Sequence, residues 1–266
     1  MRLDKLIEQQ LQTSRKEMKQ LFRMRQVRVD GAVCLQQNKN VDSFLHEITV
    51  ANQVLQTHDV YYLLNKPKGV VTANADQEHL TVFDLLHPAD FRSDLVAAGR
   101  LDRDTKGLLL LTSNGQLVYD LLHPTKKVIK TYEARINAEV TQEDIVAFAD
   151  GIVFLDGTVC QSAPLTIVSY DEQSQTSAVR LQIQEGKFHQ VKKMFLARGK
   201  KVMALKRVAM GPLELGTLPE AQYRALSSTE LQQLKPYFFK ATPAERHLNR
   251  PVYFALAKTR PDSHTN

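Results

Sequence analysis

Apolar residues at the start of the chain recur at Leu3, Leu6, Ile7 and Leu11, the spacing that gathers side chains on one face of a helix. Ser14-Arg15-Lys16-Glu17 then reads as a capping box that opens a second helix, with Met18, Leu21 and Phe22 facing inward. The period shifts to two at Val27-Arg28-Val29-Asp30-Gly31, which predicts a strand. Between residues 50 and 58, Asn52, Gln53, Gln56, Thr57 and His58 interrupt the apolar pattern. This predicts a hinge between a small module, residues 1–56, and a larger domain, residues 57–240.

The larger domain opens with the strand Val60-Tyr61-Tyr62-Leu63-Leu64, closed by the turn Asn65-Lys66-Pro67-Lys68-Gly69. The continuous run over 108–112 reads as a strand buried on both faces, and 131–136 as another. Asn114-Gly115 predicts a turn, and 116–122 a short helix that stops before His123-Pro124. Thr141-Gln142-Glu143-Asp144 starts a helix that Gly151 ends, and 179–183 is a half-buried strand. Residues 189–197 form a helix with Val191, Met194 and Phe195 inward and Gly199 as its stop. A strand follows over 203–210, and Ser227-Ser228-Thr229-Glu230 caps a last helix reaching residue 237. Strands outnumber helices and several are joined by short turns, so the fold class is α+β around a mixed, mainly antiparallel sheet. The tail, residues 241–266, holds Pro243, Pro251 and Pro261 among scattered charges and reads as loose.

Charge adds a pattern to this outline. The 266 residues carry a net charge of +6, but the basic residues are clustered. Residues 1–31 hold eight basic and four acidic side chains, and residues 187–207 hold eight basic and no acidic ones. Such one-signed segments suit a polyanionic partner. Cys34 and Cys160 stand far apart without the paired spacings of a zinc site, so reduced thiols and no metal are expected. No apolar stretch is long enough to span a bilayer and no N-terminal apolar export segment is present, which predicts a soluble, cytoplasmic protein with no membrane role.

The candidate chemistry lies at Gly99-Arg100-Leu101-Asp102-Arg103-Asp104-Thr105-Lys106-Gly107, just ahead of the Leu run. A strand entered from this loop would hold Asp102 at the rim of the sheet, aimed at a substrate. A solvated loop of surface ion pairs is the plain alternative. A magnesium site built on Asp102 and Asp104 is a weaker one, since no glycine-rich phosphate cradle accompanies it.

Two resemblances sharpen these readings. Met1-Arg2-Leu3-Asp4-Lys5-Leu6, Ser14-Arg15-Lys16-Glu17 and Val27-Arg28-Val29-Asp30-Gly31 resemble an S4 RNA-binding domain. That resemblance implies two short helices presenting Arg2, Lys5, Ser14, Arg15, Lys16, Lys19, Arg23 and Arg25 to folded RNA. Asn65-Lys66-Pro67-Lys68-Gly69, the Asp102 segment, Lys130-Thr131-Tyr132, and Glu185-Gly186-Lys187-Phe188-His189-Gln190-Val191-Lys192-Lys193-Met194 resemble, in this order, the motifs of RsuA-type pseudouridine synthases. Together the resemblances cover roughly residues 1–236.

The second resemblance implies a monomeric enzyme that isomerises a uridine in ribosomal RNA without cofactor or metal. The N-glycosidic bond breaks, the uracil turns, and it is rejoined through carbon. Asp102 takes the place of the family's nucleophile, acting on ribose or base. Lys192 falls where relatives carry a basic residue, commonly Arg, and keeps the charge but not the fork geometry. Tyr132 falls on the tyrosine that stacks on the uracil and serves in proton transfer. Lys66, Lys68, Arg100, Lys126, Lys127, Lys187, His189, Gln190 and Lys193 are the RNA contacts expected around them. The pair His189-Gln190 resembles members acting on 16S rRNA, with a position-516-type target, whereas Asn-Arg there marks 23S enzymes. The substrate is expected as free rRNA or as an assembly intermediate of the subunit, with the two domains swinging on a polar linker until RNA bridges them. A 23S enzyme of the same family and a noncatalytic rRNA-binding or assembly factor are the competing functions. The chain departs from the family at Leu218-Pro219-Glu220-Ala221, where relatives have Leu-Pro-x-Gly, which bears on a local turn.

Overall fold

The computed structural model describes residues 1–238, so the expected loose tail, 241–266, lies outside the described residues. The N-terminal part contains α1 (Leu3–Leu11), α2 (Arg15–Arg23), β1 (Val27–Val29), β2 (Ala32–Val33), β3 (Ile48–Val50) and β4 (Gln53–Val54). The remainder contains β5 (Tyr61–Lys66), β6 (Val96–Ala97), β7 (Lys106–Thr112), α3 (Gly115–Leu122), β8 (Lys130–Ile136), α4 (Gln142–Asp150), β9 (Leu165–Asp171), β10 (Thr176–Ile183), α5 (Gln190–Ala197), β11 (Val202–Met210), β12 (Leu213–Glu214), β13 (Tyr223–Ala225) and α6 (Ser228–Leu234).

The expected periodicities place the first two helices well. Leu3, Leu6, Ile7, Met18 and Phe22 are buried with Val27, Ile48 and Val50 in one apolar cluster, against a four-stranded sheet ordered β2-β1-β3-β4. The capping box forms: Glu17 N donates to Ser14 Oγ at 3.3 Å and Ser14 N to Glu17 Oε2 at 2.8 Å. The strand foreseen over 27–31 stops at Val29, because Asp30 and Gly31 adopt positive φ (52° and 73°) and form the turn of a β1–β2 hairpin.

The hinge is also corrected. Ala51 and Asn52 are a hairpin turn with φ of 47° and 67°, joining β3 to β4, and Leu55 and Thr57 are buried. Asp42, fully buried, explains why polar residues gather here. It accepts from the Tyr61 hydroxyl, from Asn114 Nδ2 at 2.6 Å and from Phe44 N at 2.9 Å, with Thr57 Oγ1 at 3.3 Å. A buried carboxylate needs such donors. The residues that read as a flexible tether therefore help to dock the N-terminal part on the main sheet, where Asn40 Nδ2 also donates to Gln116 Oε1 at 2.8 Å.

The main sheet has nine strands, ordered β13-β5-β7-β11-β8-β10-β9 with β6 and β12 attached to β7 and β11. Every pairing is antiparallel except β7 with β11. β7 is central, and its Leu run alternates between two cores. Leu109 and Leu111 join Tyr132, Phe148 and Phe195, whereas Leu108 and Leu110 join Leu117, Leu121 and Leu231. Gly107 (φ 107°) lies where a Cβ would come within 2.1 Å of the Arg207 carbonyl oxygen, so the parallel contact excludes any side chain. Asn114 caps α3, which begins one residue earlier than foreseen, in place of a free turn. Edge strand β9 was not anticipated, since its exposed residues blur the alternation.

Candidate active site

The loop entering β7 is held by its backbone. Lys66, at the end of β5, is fully buried, and its Nζ donates to the carbonyls of Pro67, Asp102 and Thr105, each at 3.0 Å. Burial pulls its pKa down to about 8, and the nearby carboxylates of Asp104 and Asp102 only partly oppose that. Gly69 N donates to Arg103 O at 2.8 Å, and Thr72 Oγ1 to Leu101 O at 3.0 Å. The turn at 218–221 supports the same strand end: Ala221 N donates to Asn65 O at 2.9 Å and Asn65 Nδ2 to Leu218 O at 2.8 Å. The turn thus survives without the family's glycine, but Ala221 sits at φ 64°, a left-handed conformation costly for alanine.

Helix α5 brings the opposing charges. Lys192 Nζ lies 2.8 Å from Asp102 Oδ2 and 2.6 Å from Asp104 Oδ1, and His189 Nε2 lies 3.4 Å from Asp102 Oδ1. Partial burial works against both charged forms, yet the pairing prevails: Lys192 is held above the ordinary lysine value and Asp104 below the ordinary carboxylate value. Asp104 therefore shares the cation with Asp102. Two carboxylates on one ammonium leave a negative charge over, and Asp102 stays about one third exposed and open to attack an electrophile.

Tyr132 lies on β8, opposite Leu181 of β10 and Arg207 of β11, with its ring buried among Leu101, Val191 and Phe195. Only 7% of its surface is exposed, and its hydroxyl has no hydrogen-bond partner among the described residues.

A carboxylate held through its loop backbone meets a cation delivered from a following helix, and a buried tyrosine lies on β8 of the same sheet. The model of the RNA pseudouridylate synthase family matches residues 60–197, more than half of the chain and all three of these groups. The chain belongs to the RNA pseudouridylate synthase family. It is 39% identical over 236 residues to an uncharacterized RNA pseudouridine synthase of Bacillus subtilis, covering 88% of this chain and 98% of that one. It is 35% identical over 235 residues to ribosomal small subunit pseudouridine synthase A of Pseudomonas aeruginosa, with coverage of 87% and 99%. A crystal structure of a pseudouridylate synthase superposes with a TM-score of 0.61 at 31% identity, with coverage of 88% and 99%. This is an RsuA-type synthase, an enzyme that isomerises uridine in RNA.

The residues expected to contact RNA stand in different surroundings. Arg15, Lys16, Lys19, Arg23 and Arg25 are exposed with no side-chain partner among the described residues, as are Arg100 and Lys127, while Lys68 is exposed and its backbone bonds the Glu220 carboxylate. Arg2 and Lys5 are exposed but paired with Asp4 and Glu8, and Ser14 is occupied by its cap. Lys126 is half-buried at the turn after α3. Lys66 is corrected from phosphate contact to internal brace, because its ammonium is sealed beneath the loop. Gln190 is corrected likewise: it is buried, its Oε1 accepts from Lys187 N at 3.0 Å and its Nε2 donates to Glu185 Oε1 at 2.7 Å. Lys187 pairs with Glu185, and Lys193 with Asp156 at 3.3 Å. The basic run at 187–207 is thus largely neutralised, Lys187 by Glu185 two residues away and Lys192, Lys193, Arg198 and Lys200 by carboxylates distant in sequence, and Arg207 is buried with Nε donating to Leu108 O at 2.8 Å. His189 precedes α5 in the left-handed region instead of forming its first turn.

Proposed function

We propose that this synthase converts a specific uridine of 16S rRNA, of the position-516 type, to pseudouridine, with Asp102 as nucleophile, Lys192 as its counter-ion and Tyr132 as the stacking and proton-transfer residue. The observation that carries the assignment of Asp102 is its carboxylate at 2.8 Å from Lys192, on a loop whose carbonyls Lys66 holds from beneath. Attack on ribose C1′ expels uracil with the electrons of the N1 bond. After the base turns, C5 attacks C1′ and displaces the carboxylate with its own bonding pair, and the C5 proton is passed on to end at N1. Attack on C6 of the ring is the alternative entry, and either route balances without oxidant or reductant. The uridine must leave its stack to reach the site, which requires a platform such as Tyr132.

The small-subunit reading draws on relatives named as acting there and on His189-Gln190. The N-terminal module, residues 1–56, is read as an S4-type RNA-binding domain ahead of a catalytic domain, residues 57–240. The five cations on α2 and its exit, exposed and without a partner among the described residues, support that reading. A cytoplasmic monomer acting on rRNA or an assembling subunit fits it. The test is carbodiimide-blocked primer extension on 16S and 23S transcripts and 30S precursors, after incubation with wild type and with Asp102→Asn. One new stop in 16S RNA, present with wild type and lost in the variant, is expected. A stop only in 23S overturns the subunit, and turnover by Asp102→Asn overturns the nucleophile.

A further inference from the structure

Phe188 stands just before α5 with 73% of its surface exposed. A lone exposed apolar residue means little, but this one is built into the site. Its ring stacks on His189, with centroids 3.8 Å apart and planes within 20°, and His189 in turn lies 3.4 Å from the Asp102 carboxylate. His189 holds φ 53° and ψ 32°, a conformation that costs free energy and fixes the direction of the stack. Lys193 Nζ stands 5.8 Å from the Phe188 ring centre and 5.3 Å from that of Phe154, and pairs with the exposed Asp156 at 3.3 Å.

We propose that Phe188, backed by His189, is a stacking platform for a base next to the target uridine in the substrate RNA. The inference rests on the RNA-modifying reading above and adds a second ring surface to the one assigned to Tyr132. A uridine that leaves its stack exposes the faces of its neighbours. An aromatic ring one residue away from the carboxylate's histidine contact gives one of those faces a new partner. Lys193 lies where the attached phosphate would accompany that base, and exchanging Asp156 for a phosphate keeps its charge satisfied. Phe188 is thereby a specificity-determining residue that acts on the flanking sequence and takes no part in bond making.

The test uses the full chain and 16S rRNA fragments spanning position 516, either intact or abasic at the nucleotide before or after the target. Affinity is read in an Asp102→Asn background and turnover in the wild-type background. Phe188→Ala is expected to weaken binding of intact RNA by roughly 5- to 150-fold, the usual range for one stacked base, and Phe188→Tyr to restore it. On the RNA abasic at the stacked position, the parent should lose the same amount and Phe188→Ala should cost nothing further. Unchanged affinity in Phe188→Ala, a Tyr variant as weak as the Ala variant, or a penalty undiminished on both abasic RNAs overturns the platform. Binding that depends on Phe188 without pseudouridine formation sustains the platform and overturns the proposed reaction at this target. Failure of the parent to bind overturns both.

Discussion

Helix α2 with its exit and the segment at 187–207 are both rich in basic residues, yet their charges have different fates. Arg15, Lys16, Lys19, Arg23 and Arg25 are exposed on the N-terminal module and pair with no carboxylate among the described residues. In the later segment Lys187, Lys192, Lys193, Arg198 and Lys200 each meet a carboxylate, and Arg207 is buried. The first set can exchange water and counterions for phosphate. The second is spent on ion pairs within the fold, so a basic run in sequence identifies a polyanion surface only when its neighbours in space leave it open.

The sharpest break of this contrast is Lys192→Met. Removing the shared cation leaves Asp102 and Asp104 facing each other uncompensated, and turnover should fall by about 10²-fold or more, equivalent to roughly 3 kcal/mol for a broken, partly buried pair. RNA affinity, carried elsewhere, should change little. Single-turnover rates alongside filter binding measure both, and a parallel fall in affinity would place Lys192 with the free cations.

Lys66 comes next and adds a pH signature. Its pKa is about 8 in the fold against 10.5 for an ordinary lysine, so between those values the unfolded chain binds more protons and this residue's contribution to unfolding free energy rises with pH. Over the same window the loop loses a charged donor, and turnover should decline. Lys130, also near 8 through burial, adds to the stability slope. In Lys66→Met, turnover should drop and its decline above pH 8 should disappear, while urea titrations from pH 7 to 10 show a flatter slope than wild type.

Asp144→Asn tests the neutralised set away from the chemistry. The carboxylate is fully buried and accepts from Arg198 Nε at 3.0 Å and from Lys200 Nζ. Replacing it should cost about 2 kcal/mol of stability in urea unfolding, through weakened charged hydrogen bonds, with turnover at permissive temperature retained. The smallest effect belongs to Lys19→Gln, which should reduce the slope of log affinity against log salt by about 0.7 to 0.9 if it contacts one phosphate. An unchanged slope would remove Lys19 from the RNA surface.

What the sequence made legible follows the range of the interactions. Helices α1, α2 and α5, the capping box and the buried Leu strand depend on residues a few positions apart, and their patterns show. The approach of Lys192 to Asp102 was readable only through family resemblance, because 90 residues separate the two. Lys66 in a Lys-Pro-Lys-Gly turn looks like surface until the loop it braces is folded over it. The polar run at 50–58 has the composition of a linker, and only the buried Asp42 reveals Thr57 as a partner. Asp104 shares the Lys192 ammonium with Asp102, at 2.6 and 2.8 Å, a pairing that no local pattern encodes.

That Asp42 junction has one more consequence. With Tyr61, Asn114 and Thr57 gathered on a single buried carboxylate, the cations of α2 and the carboxylate of Asp102 stand at a separation set by the protein. An RNA held at α2, as proposed, would then be measured against a fixed length. Among many chemically identical uridines, the one modified would be the one lying at the right distance along the folded RNA from the place where it is held.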